Sequence, residues 1–424
     1  MKARSVSFPL ITVLVWILYS PGIVFGGELG ESDDPILRGI LVDALDHYLE
    51  IKALRREVLA AEHELSLARG SFLPNLSYSG NQRFGSLYQS ISSIEQPLIT
   101  FGRWQGDKRR AEAELHFAKS LVDSSREELL RSVVDAYYDL IQSSQRALVF
   151  EDSVREHERL FELIDRRVLA EKSPAVDRAL AEARLEFAKT DLNSERSKIE
   201  QIQARLQLLV GHKVQLGDWS DTKVGEDLVE SELIGRTLAE SQRMKRVRAE
   251  RQVLEARRLR AESELLPSLS LVFEKRKGYF EIGDPDDERT YISLNYETGN
   301  GFTKRKAILA AKQREYAAEI RIDLEQQTLV SELEAYLAKL KQAKEEVPRS
   351  QQLAEATNSV RQSYLRQYTV GRKSWLDVMN ASREWFSARV NQIQWRKELG
   401  STVDQLRVLS GQYEGELVGD DDIQ

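Results

Sequence analysis

Few residues in this 424-residue chain are arranged for catalysis. Its five histidines, His47, His63, His116, His157 and His212, are scattered, and none lies four residues from another, so the helical zinc pattern H-E-x-x-H is absent. There is no cysteine, which removes disulfides, thiolate metal sites, a cysteine nucleophile and a lipid-modified N-terminal cysteine. Gly299-Asn300-Gly301 ahead of Lys304-Arg305-Lys306 hints at a phosphate site but lacks P-loop spacing. The acidic run from Asp284 to Glu288 lacks the spacing of a calcium loop and reads as a solvated turn. No Ser-His-Asp, paired-carboxylate or cofactor constellation stands out. The residues point away from an enzyme and call for no metal and no cofactor.

What does recur is a pair of aspartates, Asp177 and Asp377, each at the start of a helical stretch. Ser374 with Asp377 three residues on resembles a capping box. Asp177 follows Ser173-Pro174, where a carboxylate favours a helix N-terminus. Trp375, Trp385 and Trp395 recur at ten-residue intervals and read as packing residues rather than a ligand stack.

The elements that position these residues are long helices. Charged residues make up 30% of the chain and prolines number only 9, a composition of long helices and coiled coils. Acidic and basic side chains nearly cancel to −7, so no basic field is present to hold nucleic acid. Between Asp107 and Ser173 there is neither glycine nor proline, which allows a helix of ~100 Å. Leu115, Val122, Leu129, Val133, Ala136 and Leu140 recur at three-, four- and seven-residue steps along it.

The chain is a duplication. An offset of 200 puts Asp177 on Asp377, Ala181 on Ala381, Ala188 on Ala388, Leu206 on Leu406, Leu209 on Leu409 and Gly211 on Gly411. An offset of 193 aligns the junction ending in Leu73-Pro74 with the one ending in Leu266-Pro267. After each junction Ser, Tyr and Leu alternate as in a strand. Leu76, Tyr78, Phe84 and Tyr88 share one parity, and Ser77, Ser79, Asn81 and Arg83 the other.

The expected organisation is a signal peptide over 1–26, repeat 1 over 27–217 and repeat 2 over 218–424. Repeat 1 holds a helix over 36–72, a β-hairpin over 75–101 and helices over 104–169 and 175–210. Repeat 2 holds a helix over 232–265, a β-hairpin over 268–301, helices over 303–369 and 375–409, and an acidic tail. The signal rests on Lys2 and Arg4, an apolar run from Phe8 to Tyr19, and small Gly26. That run is too short to span a bilayer as a helix, so the chain is exported and any membrane insertion must use strands. Each hairpin arm is long enough to cross a membrane, but four strands cannot close a barrel. Copies must complete it, and three would give twelve strands. The adjacent charges Glu274-Lys275-Arg276-Lys277 belong beyond the apolar band, near the outer loop.

Three signals together resemble the TolC family of outer-membrane efflux and type I secretion channels. They are the duplicated helix-Leu-Pro-strand junction, the turn Gln96-Pro97-Leu98-Ile99-Thr100-Phe101-Gly102-Arg103, and the segment from Tyr368 to Ala381. The resemblance covers essentially the whole chain beyond residue 26. It implies a mainly α fold with a β-barrel part. In this fold a trimeric coiled-coil periplasmic tunnel continues into a shared twelve-stranded outer-membrane barrel, built from two tandem repeats. The localisation implied is the outer membrane of a Gram-negative-type cell, with most of the chain in the periplasm. The function implied is that of a passive exit duct, fed by an inner-membrane transporter (ABC or proton-driven) through a periplasmic adaptor.

By the same resemblance, Asp177 links to Tyr368 and Lys373, Asp377 forms a carboxylate ring on the pore axis, and Asn380 occupies the next ring position. Glu171, Ser173, Val370, Gly371 and Arg372 are the implied adaptor-contacting tip residues. The chain departs from the family pattern at Leu169 to Asp177, which lacks its Val-Gly, and at Tyr296 to Gly301, where the Pro-Leu turn is replaced. Gate and helix cap remain alternative roles for the two aspartates. Phe101, Trp104 and Phe302 read either as an interfacial girdle or as packing aromatics. A periplasmic coiled-coil adaptor that never inserts is the competing function.

Overall fold

In a computed structural model, described for residues 34–83, 87–217, 230–278, 286–297 and 303–413, the two halves carry the same elements in the same order. Repeat 1 comprises α1 (Pro35–His47), α2 (Leu49–Gly70), β1 (Asn75–Arg83), β2 (Leu87–Ile99), α3 (Arg103–Leu169) and α4 (Ala175–Val210). Repeat 2 comprises α5 (Glu230–Glu240), α6 (Gln242–Ser263), β3 (Ser268–Gly278), β4 (Asp286–Asn295), α7 (Thr303–Thr369) and α8 (Trp375–Leu409). Helices α3 and α7 are each 67 residues, and α2 and α6 are each 22. The expected signal peptide, the acidic tail, Phe84, Asp284, Gly299-Asn300-Gly301 and Phe302 lie outside the described residues.

Two helices that read as continuous in the sequence are each broken. The stretch over 36–72 breaks at Tyr48, and the one over 232–265 breaks at Ser241, positions that correspond at the offset of 193. Both residues adopt an extended ψ, and the Ser241 hydroxyl accepts from the Met244 N–H, capping α6. Neither site has a proline or glycine, so the sequence carried no breaker.

The four strands form one antiparallel sheet in the order β1-β2-β3-β4. The β2–β3 pairing joins the repeats and leaves β1 and β4 as open edges. Across the sheet, Leu76 faces Ile94, Ile94 faces Phe273, and Leu271 faces Ile292. These side chains, with Tyr78 and Leu294, form an exposed apolar face. On the opposite face Ser77 and Ser93 share a 2.7 Å hydrogen bond, while Ser270, Val272 and Glu274 are buried. Lys275 lies on the apolar parity, paired with Glu288 across the ladder, where the apolar run ends. Arg276 turns to the other face and pairs with Glu274. Among the described residues no helix is long and apolar enough to cross a membrane.

Below the sheet the helices pack as antiparallel pairs. One apolar core joins α1, α3 and α4, and a second joins α5, α7 and α8. Between the halves sits a buried polar knot. Asp404 accepts from Tyr138 at 2.7 Å, from Tyr413 at 2.9 Å and from Arg407 at 2.7 Å. Burial pushes the Asp404 carboxyl above its usual range against these three donors. Gly400 makes the approach possible, since a Cβ there would lie 2.5 Å from the Tyr138 ring.

Candidate functional site

At the end remote from the sheet, two helical turns form the tips, one between α3 and α4 and one between α7 and α8. Their backbones repeat bond for bond. In the first, Glu171 N–H donates to the Val168 carbonyl and Lys172 N–H to that of Arg167. In the second, Gly371 N–H donates to Tyr368 and Arg372 N–H to Gln367. Each turn needs one left-handed residue, supplied by Gly371 at φ 78° and by Glu171 at φ 57°. The first tip therefore reaches the same geometry without glycine, and Glu171 carries the strain.

The residues that start the next helices differ. Ser374 caps α8 in a full capping box, its hydroxyl accepting from Asp377 N–H at 3.2 Å while Asp377 Oδ2 accepts from Ser374 N–H at 3.0 Å. The Ser374 hydroxyl lies 2.8 Å from the same Oδ2. These bonds, together with Lys373, hold the Asp377 carboxyl below its usual range. Asp377 Oδ1 takes no part in the box. On α4 the equivalent cap is Pro174, whose ring has no hydrogen-bonding group to offer. Asp177 thus lacks a capping partner, and among the described residues it forms no ion pair within the chain.

Tyr368 is buried in a small core with Leu160, Ile164, Trp375, Val378 and Met379. Arg167 lies 4.8 Å from the centre of its ring. Its hydroxyl is buried without a well-formed hydrogen bond. Burial pushes the Tyr368 hydroxyl above its ordinary value; Arg167 and Ser173 oppose that shift and Asp177 adds to it. The structure therefore brings Asp177 and Tyr368 within electrostatic reach. It does not bring Lys373 to Asp177: Lys373 Nζ sits 4.2 Å from the Tyr364 ring centre, on the side of Asp377. Asn380 is exposed, at the rim of a cavity of about 300 Å³ walled by Phe150, His157, Arg184, Phe187 and Phe386.

At the extreme ends, Glu171, Val370, Gly371 and Arg372 are exposed and Ser173 is half-buried. Leu169, Val176 and Leu376 also leave apolar side chains in solvent there, a patch the motif reading missed although those residues flank it. Arg167 was missed too, because Gln367 stands at its place in the second repeat. Trp385 is held between Arg361 at 4.1 Å and Arg389 at 5.2 Å, and these arginines pair with Glu156 and Asp152. Trp375 is buried in the tip core. Both serve packing. At the other end, Trp104 packs on Phe72 with ring centres 5.3 Å apart, while Phe101 is exposed at φ 48° at the strand-to-helix turn.

Residues 40–212 and 233–412 match the family model described as outer membrane efflux protein. Among curated proteins none matches this sequence. Solved structures share the fold at low identity. The Campylobacter jejuni CmeC outer membrane channel is 14% identical with a TM-score of 0.78, covering 96% of this chain and 94% of its own. A membrane protein from Pseudomonas aeruginosa is 20% identical with a TM-score of 0.77, covering 89% and 94%. The open state of the Neisseria gonorrhoeae MtrE outer membrane channel is 17% identical with a TM-score of 0.72, covering 89% of each.

Proposed function

The chain belongs to the outer membrane efflux protein family, and from that premise we propose that three copies form the passive exit duct of a tripartite export machine. The family places it in the outer membrane as a non-enzymatic pore. The observation that carries the proposal is the four-stranded sheet, apolar on its exposed face and open at both edges, standing on helices of ~100 Å. Three such sheets joined edge to edge give twelve strands, an even number suited to an outer-membrane barrel. Below it, two similar halves in three copies surround one axis with sixfold pseudo-symmetry.

In this reading residues 1–26 direct export and are removed. The apolar and basic tip residues Leu169, Val176, Val370 and Arg372 contact a periplasmic adaptor, which links the duct to an inner-membrane transporter, of an efflux or type I secretion system. Asp177 and Tyr368 hold the tips inward, and the three Asp377 carboxylates line the constriction and favour cations. A water-soluble adaptor role is disfavoured by the sheet, whose Leu76, Tyr78, Ile292 and Leu294 would all stand in water.

The test is mass determination in mild detergent, followed by conductance in planar bilayers. The expected result is three times the mature chain mass and discrete channel events. A monomer or dimer that still inserts in lipid would sink the architecture, and release from membranes by sodium carbonate would sink the barrel.

A further inference from the structure

The chain contains one internal interface that the duplication requires again elsewhere. Strand β2 runs into α3 and β3 is fed by α6; because β2 pairs with β3, α3 and α6 pack together. Strand β4 runs into α7 and β1 is fed by α2. When the open edge of β4 meets β1 of the next copy, α7 meets α2 of that copy in the same way. Residue equivalences follow without gaps: α6 maps on α2 at an offset of 193, and α3 on α7 at 200.

The unpartnered faces agree with this placement. On α6, Ala249 and Ala256 are 0% and 5% exposed, yet their equivalents on α2, Arg56 and His63, are open to solvent. On α3, Ser120 and Ser124 are buried, whereas their α7 equivalents, Ile320 and Leu324, are 68% and 61% exposed. Leu67 on α2 is 73% exposed. An apolar face of α7 and a mixed face of α2, with Leu67 beside Arg56 and His63, are thus left open where the internal counterparts are covered.

The charges select the occupant. Inside the chain, Arg257 donates to Glu114 at 2.9 Å, and Arg260 pairs with Asp107. The equivalents of the first pair are Glu64 and Arg314, oppositely charged with the signs exchanged. Both are exposed, and neither forms an ion pair within the chain among the described residues. The equivalents of the second pair are Leu67 and Ala307, an apolar match in place of an ionic one. Gly106, where a Cβ would meet the Arg260 backbone at 3.3 Å, is replaced by Lys306 in the second repeat, so the corresponding helices would sit slightly further apart.

We propose that copies of this chain join by laying α2 of one against α7 of the next in the register of the internal α6–α3 contact, with Glu64 opposite Arg314. The inference rests on the ring of copies in the proposed function. The exchanged signs also fix the order of the ring. Were α2 to take the place of α6, Glu64 would face Glu114, and α6 against a neighbour's α7 would set Arg257 against Arg314. Like charges held opposite each other oppose both errors.

The experiment uses the full chain in mild detergent. Glu64→Arg and Arg314→Glu should each lower the trimer-to-monomer ratio several-fold by native mass spectrometry, and the double exchange should restore it. In a second arm, Leu67→Cys with Ala307→Cys, in a chain with no native cysteine, should give covalent dimers and trimers with a short bis-maleimide. A parent that is trimeric, with single variants unchanged and no cross-linked product, overturns the pairing and leaves the channel reading standing. A parent that is monomeric in detergent and lipid overturns that reading as well.

Discussion

Pro174→Ser isolates what Asp177 does. Pro174 occupies the α4 cap where Ser374 occupies the α8 cap, and Asp177 sits where Asp377 closes its capping box. A serine at 174 would offer Asp177 the same two reciprocal bonds. Such a cap stabilises a helix start by ~0.5–2 kcal/mol, enough to compete with the Asp177–Tyr368 lock of the proposed channel, taken as a half-exposed contact of ~0.2–1 kcal/mol. Loss of that contact in three copies removes up to about 3 kcal/mol of bias toward closure, or about two decades in the closed-to-open ratio at ~1.4 kcal/mol per decade. In single-channel recordings Pro174→Ser should raise open probability, and Asp177→Asn should raise it to a similar extent. Adding Pro174→Ser to Asp177→Asn should then change nothing further. If Asp177→Asn opens the channel and Pro174→Ser does not, the capping competition is wrong. If both conduct like the parent, Asp177 is no lock.

Glu171→Gly should stabilise the first tip by about 1 kcal/mol by relieving left-handed backbone, seen as a rise in Tm. Gly371→Ala should cost about 1 kcal/mol for the same reason, since no neighbouring atom would obstruct the added Cβ. Asp404→Ala should destabilise by ~3–5 kcal/mol, because Arg407 and two tyrosine hydroxyls lose the buried carboxylate they share. Joint Asp404→Leu and Arg407→Met should recover much of that loss in thermal melts. Single cysteines at Leu76, Ile94 and Leu271 in liposomes should resist a water-soluble thiol reagent, while those at Ser77 and Ser93 react; uniform labelling would refute the facing of the sheet. Asp377 has a lowered carboxyl pKa, so its charge and the cap it closes are complete above the unfolded value and lost only as pH falls through the folded one. Cation preference should therefore persist at pH 5 in the parent and be reduced in Asp377→Ala.

The duplication was legible because its register is kept by residues with strict local demands. Leu73-Pro74 and Leu266-Pro267 end helices, and Gly211 and Gly411 terminate α4 and α8 in left-handed conformations. The alternation of Leu76 and Tyr78 with Ser77 and Ser79 was enough to assign a face. Other features leave no such trace. The breaks at Tyr48 and Ser241 arise from how α1 and α5 pack on the long helices, not from a breaker residue. Glu171 takes a glycine conformation because two backbone hydrogen bonds close the turn around it. The pairing of Lys373 with the Tyr364 ring depends on side-chain direction, which no motif carries.

The same contrast bears on how one duplicated unit would make the proposed gate. Both tips share a backbone, so the duplication supplies two turns of one shape that the proposed trimer would bring to its axis. Their side chains then divide the work. At the second tip a capping box, the Lys373–Tyr364 contact and the buried Tyr368 and Trp375 all fix the start of α8. At the first tip a strained Glu171 and a Pro174 with no capping group leave α4 without a side-chain cap, and Arg178 ties its first turn to α3 through Asp165 at 2.6 Å. The only carboxylate in the first turn of α4, Asp177, is the one not committed to a cap. In the proposed channel, opening would begin as Asp177 moves away from Tyr368, with Asp377 held by its capping box at the constriction.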